Sequence, residues 1–265
     1  MNTLDLAKKI RINTLRMVNN AGASHIGPIL SIVDILAVLY GEVMHYDVMN
    51  PKLETRDRFI LSKGHAGAAV YAVLAEVGFF DNSELLDYGK DGSKYSGHVS
   101  SIGILGMEFS TGSLGHGLSV ASGMALRAKL DNINYKVFTI LGDGELDEGS
   151  NWEALMFAAH SKLNNLCVII DRNNMQSIDT TENTLALEPL AEKIRSFGWH
   201  VEELDGHNHQ ALESALNICS AKPLCLIAKT VKGKGVSFME NNIEWHYKTP
   251  RDEQFIQAIN ELEAT

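Results

Sequence analysis

Apolar positions recur along this chain in two rhythms, a helical one of about 3.6 residues and short uninterrupted runs, and the two alternate. Residues 3–20 place Leu4, Ala7, Ile10, Thr14, Met17 and Val18 on one helical face, with Ala21-Gly22 closing the element. Ser31 and Asp34 read as a capping box for an apolar helix over 31–44, which pins the loop 23–28 between two helices. Residues 58–62 form a strand candidate, followed by a helix of small residues to Gly78, and a second small-residue helix covers 118–129. The runs 137–141 and 166–171 are apolar and rich in β-formers, with a helix between them. Beyond them the pattern predicts a helix over 190–197, a strand over 200–204, a helix over 208–219, a strand over 224–230 and an amphipathic helix over 253–263. This β/α alternation predicts an α/β fold, a parallel sheet with helices on both faces, built as a single domain over 1–265.

Composition narrows the partners. With 45% apolar and 21% charged residues over 265 positions, the chain can bury a sizeable core. A net charge of −10 argues against nucleic acid or an anionic membrane as the main partner, while leaving room for a local basic pocket that takes phosphate. No run approaches eighteen apolar residues and the N-terminus lacks an uninterrupted apolar stretch, so the expectation is a cytoplasmic protein, neither secreted nor membrane-spanning. Cys167, Cys219 and Cys225 lack CxxC spacing and read as buried free thiols.

Candidate chemistry concentrates in residues 136–174. The first apolar run breaks into Gly142-Asp143-Gly144, and the second ends in Arg172-Asn173-Asn174. Glycines on both sides of Asp143 allow a sharp turn and close approach of a bulky anion, and the carboxylate offers a hard oxygen ligand. Asn173 follows Asp143 by thirty positions, about one βαβ crossover, so the two should converge at neighbouring strand ends on one metal. A GDG triplet alone is usually a plain turn. With a strand before each element, a helix between and the Asn pair after, it resembles the fingerprint of thiamine diphosphate enzymes.

Four histidines lie in irregular segments: His25 in ASHIG, His65 in SKGHA, His98 after Ser96-Gly97, and His246 after Trp245. Singly, each reads as an ordinary turn histidine. The turn 110–117 is glycine-rich and leads into a helix whose free N–H groups suit an anion, or whose small residues serve only close packing. Lys232-Gly233-Lys234-Gly235 at another strand end covers a phosphate or is simply solvated.

In order along the chain, SKGHA at 62–66, TGSLGHG at 111–117, GDG at 142–144 with Asn173, KTVKGKG at 229–235 and Trp245-His246 resemble the diphosphate-binding half of transketolase. The resemblance covers nearly the entire chain. It implies the thiamine diphosphate-binding fold, with thiamine diphosphate and Mg²⁺ as cofactors, the metal held by Asp143, Asn173 and the backbone carbonyl of Met175. By the same resemblance Gly112, Ser113 and Leu114 contact the aminopyrimidine region, Gly144 and Lys232 the diphosphate region, and His65 the cofactor, with Asn173 and His246 beside it. His25, His98 and His246 match histidines that bind sugar hydroxyls and move protons, a task for imidazoles that titrate near neutral pH. The sequence departs from the family at ASHIG, where SGHP is common, and at His116, where Gln is common.

The implied activity is transfer of a two-carbon ketol unit from a ketose (phosphate) to an aldose (phosphate). The family's activating glutamate and its main phosphate ligands belong to a pyrimidine-binding domain that this sequence does not contain. The resemblance therefore implies an N-terminal subunit, inactive alone, that forms its site with a separate C-terminal transketolase subunit, two copies of each. Glu148 and Glu153 match family residues at the subunit interface, or are helix N-terminal carboxylates favoured by the macrodipole. Three alternatives stay open. One is another thiamine diphosphate enzyme, deoxyxylulose-phosphate synthase-like or dehydrogenase E1-like, which should lack the Trp245-His246 end. The others are a split transketolase for a sulfonated or branched sugar, and a non-catalytic binding protein, against which the intact ligand set argues.

Overall fold

The structure is a computed structural model that describes residues 2–264. Five strands, β1 (Arg58–Leu61), β2 (Val137–Gly142), β3 (Leu166–Arg172), β4 (His200–Asp205) and β5 (Leu224–Lys229), form one parallel sheet in the order β1-β2-β3-β5-β4. All seven residues of β3 are buried, as a central strand covered on both faces requires. Among the described residues ten α-helices surround the sheet: α1 (Thr3–Ala21), α2 (Ile26–Leu30), α3 (Val33–Val38), α4 (Gly67–Glu76), α5 (Gly117–Leu130), α6 (Gly149–His160), α7 (Thr181–Thr184), α8 (Leu190–Ser196), α9 (His209–Leu216) and α10 (Asp252–Ala264).

Handedness decides which face each helix covers. The chain steps from β1 through β2 and β3 to β4 in one direction, and right-handed crossovers put α5, α6 and α8 on one face with Ile60, Val168 and Ile227. The step from β4 back to β5 reverses direction, so α9 falls on the opposite face with α1, α3, α4 and α10, against Phe59, Ile169 and Leu226. Residues adjacent in a strand, such as Phe59 and Ile60, thus serve two different cores.

The expected capping box at Ser31 and Asp34 does not form, and 31–44 is not one helix. After α2 the segment turns at Ser31-Ile32, continues as α3 and ends in a single π turn over Leu39–Val43, with no side-chain cap at the start of either element. Both polar residues have distant partners instead. Ser31 Oγ donates to Asp171 Oδ2 at 2.7 Å and to the Pro28 carbonyl at 3.0 Å. Asp34 binds Arg11 on α1 and His207 and His209 beyond β4, at 2.5, 2.7 and 2.9 Å. The 18-residue stretch Ile26–Val43 has a mean hydropathy of 1.8, longer and more apolar than the sequence reading allows, and 83% of it is buried within the fold. Cys167 and Cys225 are buried, but Cys219 is exposed, because it follows α9 in the loop before β5; all three are free.

The Asp34 cluster sets an acid limit on stability. Burial alone would raise this carboxyl, but hydrogen bonds from His207 and His209 and the Arg11 guanidinium outweigh it and hold the group well below the usual carboxylate range. A folded-state pKa lowered in this way gives stabilisation that is complete above the unfolded value of about 4 and is lost as the pH falls below it. Asp34→Asn is expected to cost on the order of 2–3 kcal/mol near neutral pH, with the gap to wild type narrowing below about pH 4 in urea titrations. An equal gap at both pH values would mean that the carboxylate does not act as an ion.

Candidate active site

The carboxyl ends of β2, β3 and β5 open into one cavity of about 290 Å³. Parallel sheets bind ligands at this end. Because Gly142 pairs with Asp171 across β2 and β3, the residues that follow on each strand reach the same rim. Asp143 is 2% exposed. Its Oδ1 accepts the Gly144 N–H at 2.9 Å, and its Oδ2 accepts the Asn174 N–H at 2.6 Å and lies 3.4 Å from Arg172. Burial, and then the charge of Asp171, push its carboxyl up to about 6.

Asp171, fully buried at the end of β3, organises the floor. It accepts from Lys63 Nζ at 2.6 Å, Ser31 Oγ at 2.7 Å, Thr230 Oγ1 at 2.5 Å and Asn173 Nδ2 at 3.0 Å. Although burial raises a carboxyl, the Lys63 ammonium and these donors hold this one below its ordinary value. Since Asn173 gives its NH₂ to Asp171, its Oδ1 faces the other way and accepts the Met175 N–H at 3.1 Å. Arg172 binds Thr181, Glu182 and Glu188 at 2.6, 2.9 and 2.9 Å, which fastens the loop after β3.

Lys232 faces Asp143 from beyond β5. It is 1% exposed, and its Nζ donates to the Gln176 carbonyl at 2.7 Å and to His246 Nδ1 at 3.1 Å, 3.4 Å from the Met175 carbonyl. Among the described residues no carboxylate lies within ion-pair distance of it. Burial and the charge of Lys63 bring it down to about 8. A buried ammonium with only neutral partners favours an incoming anion.

Four imidazoles from four separate loops converge above. His25 lies 5.3 Å from His65, 5.7 Å from His98 and 5.2 Å from His246 between ring centroids, and His65 lies 5.6 Å from His246. His25 adopts φ 74°, a left-handed conformation concentrated at functional sites, and its N–H donates to the His246 carbonyl at 2.9 Å. Burial, then His98 and the two lysines, bring His25 down to about 4; burial and Lys232 bring His246 down to about 3; burial and Lys63 hold His65 well below its usual value. These three rings are therefore uncharged at neutral pH and able to accept a proton.

The glycine-rich turn docks onto the same rim. Gly115 N–H donates to Glu145 Oε1 at 2.9 Å, Gly142 N–H to Oε2 at 3.0 Å, and Ser62 Oγ also binds this carboxylate. A Cβ on Gly117 would stand 2.5 Å from Ser62 Cβ, so the start of α5 meets the end of β1 only with glycine there. Burial raises the Glu145 carboxyl.

Of the residues singled out from sequence, His25, His65, His98, Gly112, Leu114, Asp143, Gly144, Asn173, Met175, Lys232 and His246 line this cavity. Ser113 does not; it is exposed, and its carbonyl lies 3.3 Å from His116 Nδ1. Sequence reasoning missed Lys63, Glu145, Gln176, Ser177 and Tyr247. Lys63 stands in the quoted SKGHA and Glu145 directly follows GDG, so a basic and an acidic residue at strand ends were the available signal.

Among the described residues no three His, Cys, Asp or Glu side chains gather to hold a metal. The donors on this rim are one carboxylate, one amide oxygen already oriented, and one backbone carbonyl, all hard oxygens. Such a set fits Mg²⁺, which takes few protein ligands and completes its shell with phosphate oxygens and water. Lys232, a buried ammonium with only neutral hydrogen-bond partners, fits the accompanying diphosphate.

Residues 3–262 match the family described as transketolase, thiamine diphosphate binding domain. The chain belongs to the transketolase family. Its domain is the thiamine diphosphate-binding one, and its fold superposes on the transketolase of Leishmania mexicana with a TM-score of 0.92 at 28% identity, covering 99% of this chain and 41% of that one. Against human transketolase it is 39% identical over 259 residues, 96% of this chain and 41% of that protein. It thus spans about two fifths of those transketolases. It aligns with 94% of two shorter transketolase chains. One is the 6-deoxy-6-sulfo-D-fructose transketolase subunit SqwG of Clostridium sp. (strain MSTE9), 42% identical over 261 residues and 97% of this chain. The other is a subunit of the apulose-4-phosphate transketolase of Phocaeicola vulgatus, 41% identical over 264 residues and 98% of this chain.

Proposed function

We propose that this chain is the N-terminal subunit of a two-subunit transketolase that moves a two-carbon ketol unit from a ketose to an aldose, with thiamine diphosphate and Mg²⁺, in the cytoplasm. The observation that carries it is the meeting of His25, His65, His98 and His246 above a rim made by Asp143, Asn173 and Lys232. Asp143, Asn173 and the Met175 carbonyl would hold Mg²⁺, and Lys232 with the Gly144 backbone would receive the diphosphate. When bound, the cofactor supplies a carbon nucleophile and an electron sink. Uncharged His25 and His246 accept the hydroxyl proton of the sugar as its carbon–carbon bond breaks, and His98 holds a neighbouring hydroxyl. Gly112 and Leu114 border the space for the aminopyrimidine, and Ser113 beside them is exposed.

The second subunit brings the pyrimidine-binding domain, with its activating glutamate and the groups that hold the sugar's far end. Alignment with chains named as transketolase subunits supports this division. Glu148 and Glu153 are exposed near the start of α6, so both are free to meet that partner. The names of the same relatives favour a sulfonated or branched sugar over the common pentose and hexose phosphates. Native mass spectrometry of the chain isolated from its own cells, with thiamine diphosphate and Mg²⁺ present, tests the proposal. The expected result is equal numbers of this chain and one other polypeptide, two of each, carrying cofactor, with ketol transfer only in that assembly. Turnover by this chain in the strict absence of a partner would overturn it.

A further inference from the structure

Behind the turn 231–235, which carries Lys232, lies a second group of ionisable side chains that does not line the cavity. The Val231 N–H donates to His207 Nε2 at 2.8 Å, so the proton of that ring is on Nδ1, which donates to Asp34 Oδ2 at 2.7 Å. Arg11 Nη2 donates to the same carboxylate oxygen at 2.5 Å, and Arg11 Nε donates to the Lys234 carbonyl at 3.3 Å. His207 therefore grips the turn one residue before Lys232, Arg11 grips it two residues after, and Asp34 joins the two grips. The fit is close on both sides. A Cβ on Gly206 would stand 2.5 Å from Thr230 Cγ2, and one on Gly235 would stand 3.2 Å from Arg11 Cδ. The Lys232 ammonium itself is held only by two carbonyls and an imidazole, so its place is inherited from the backbone of this turn.

We propose that Arg11, Asp34 and His207 form a clamp that positions Lys232 for the diphosphate, which makes Arg11 and His207 positioning residues for a cofactor they do not touch. The inference rests on the reading of Lys232 as a diphosphate ligand. It assigns a task to three residues on α1, on α3 and at the end of β4 that are far apart in sequence and meet behind one turn. His209 provides a built-in control. It binds Asp34 Oδ1 and Thr3 Oγ1, each at 2.9 Å, with a side chain as buried as that of His207, but it makes no hydrogen bond to the turn.

The test compares His207→Leu, His207→Gln and His209→Gln in the full chain, by amide hydrogen exchange across 231–235 and by affinity for thiamine diphosphate with Mg²⁺. His207→Leu is expected to speed exchange in the turn and to weaken binding, each by roughly tenfold, the size of one lost buried hydrogen bond. His207→Gln, whose amide oxygen can accept the Val231 N–H, should recover most of both. His209→Gln should lower the melting temperature about as much as His207→Leu and leave exchange in the turn and affinity unchanged. In a Lys232→Met background, His207→Leu should weaken binding no further. Unaltered exchange in His207→Leu, or an equal effect from His209→Gln, would overturn the clamp. If exchange responds as expected while Lys232→Met binds thiamine diphosphate as tightly as wild type, the grip on the turn stands and the diphosphate reading of Lys232 falls.

Discussion

Asp143→Asn should lose Mg²⁺-dependent binding of thiamine diphosphate while leaving a folded chain. The substitution keeps the shape of the side chain and one oxygen able to accept from the Gly144 or Asn174 N–H, but removes the only carboxylate in the proposed oxygen set. A divalent ion facing two amides and one carbonyl, with no carboxylate, loses the charge compensation that this chain supplies. We expect a fall of at least ~100-fold in affinity, beyond the roughly 10–100-fold typical of residues that only orient a ligand. Stability should fall by about 1–3 kcal/mol, because either the Gly144 or the Asn174 N–H loses its acceptor, while the two charge effects oppose. The variant loses the attraction of Arg172 at 3.4 Å and also loses the repulsion of Asp171. Calorimetric titration with and without Mg²⁺, alongside a thermal melt, separates them. Undiminished Mg²⁺-dependent affinity would remove Asp143 from the ligand set.

Asp171→Ala should damage the fold itself. The carboxylate is fully buried and its ion partner Lys63 is 1% exposed, so the truncation strands an ammonium in the interior. Breaking such a pair costs about 3–5 kcal/mol, which for a chain of this size lowers the melting temperature by roughly 6–20 °C. Replacing both partners, as Lys63→Met with Asp171→Leu, should restore most of that loss, since an apolar pair of similar volume satisfies the site. The restored protein should still bind cofactor poorly. Without Asp171 the Asn173 NH₂ loses its acceptor, and only the Met175 N–H is left to direct the amide oxygen toward the metal. A double variant that regains both stability and affinity would show that Asp171 has no part in orienting Asn173.

The parts of this molecule legible in the sequence are those written locally. The apolar runs that become β2 and β3 break at glycine, aspartate and asparagine, and one crossover separates them, so the meeting of Asp143 and Asn173 follows from strand physics alone. The small residues around 117–128 likewise announce close packing, which Gly117 against Ser62 bears out. What the sequence hides is decided by long-range partners. Ser31 and Asp34 have the spacing of a helix cap, yet Asp171, 140 positions away, and His207, 173 positions away, make stronger claims on them than the local backbone does. Lys63 reads as an ordinary residue beside a turn until Asp171 is brought to it. Ser113 sits in the middle of the glycine-rich motif, but it is exposed and does not line the cavity.

The sheet order has a consequence for how ligand and fold depend on one another. β5 enters between β3 and β4, and the contacts along its seam with β3, such as Ile169 with Leu226, join segments far apart in the chain. Asp143 and Asn173 stand on one side of this seam and Lys232 on the other. On the proposed reading, a diphosphate and metal held by all three would fasten the seam, and opening β5 away from β3 would require giving that ligand up. Occupancy is thereby converted into mechanical closure of the sheet, worth about 2.7 kcal/mol when the ligand stands at 100 times its dissociation constant. On that reading, cofactor supply would set how often this chain exposes its interior.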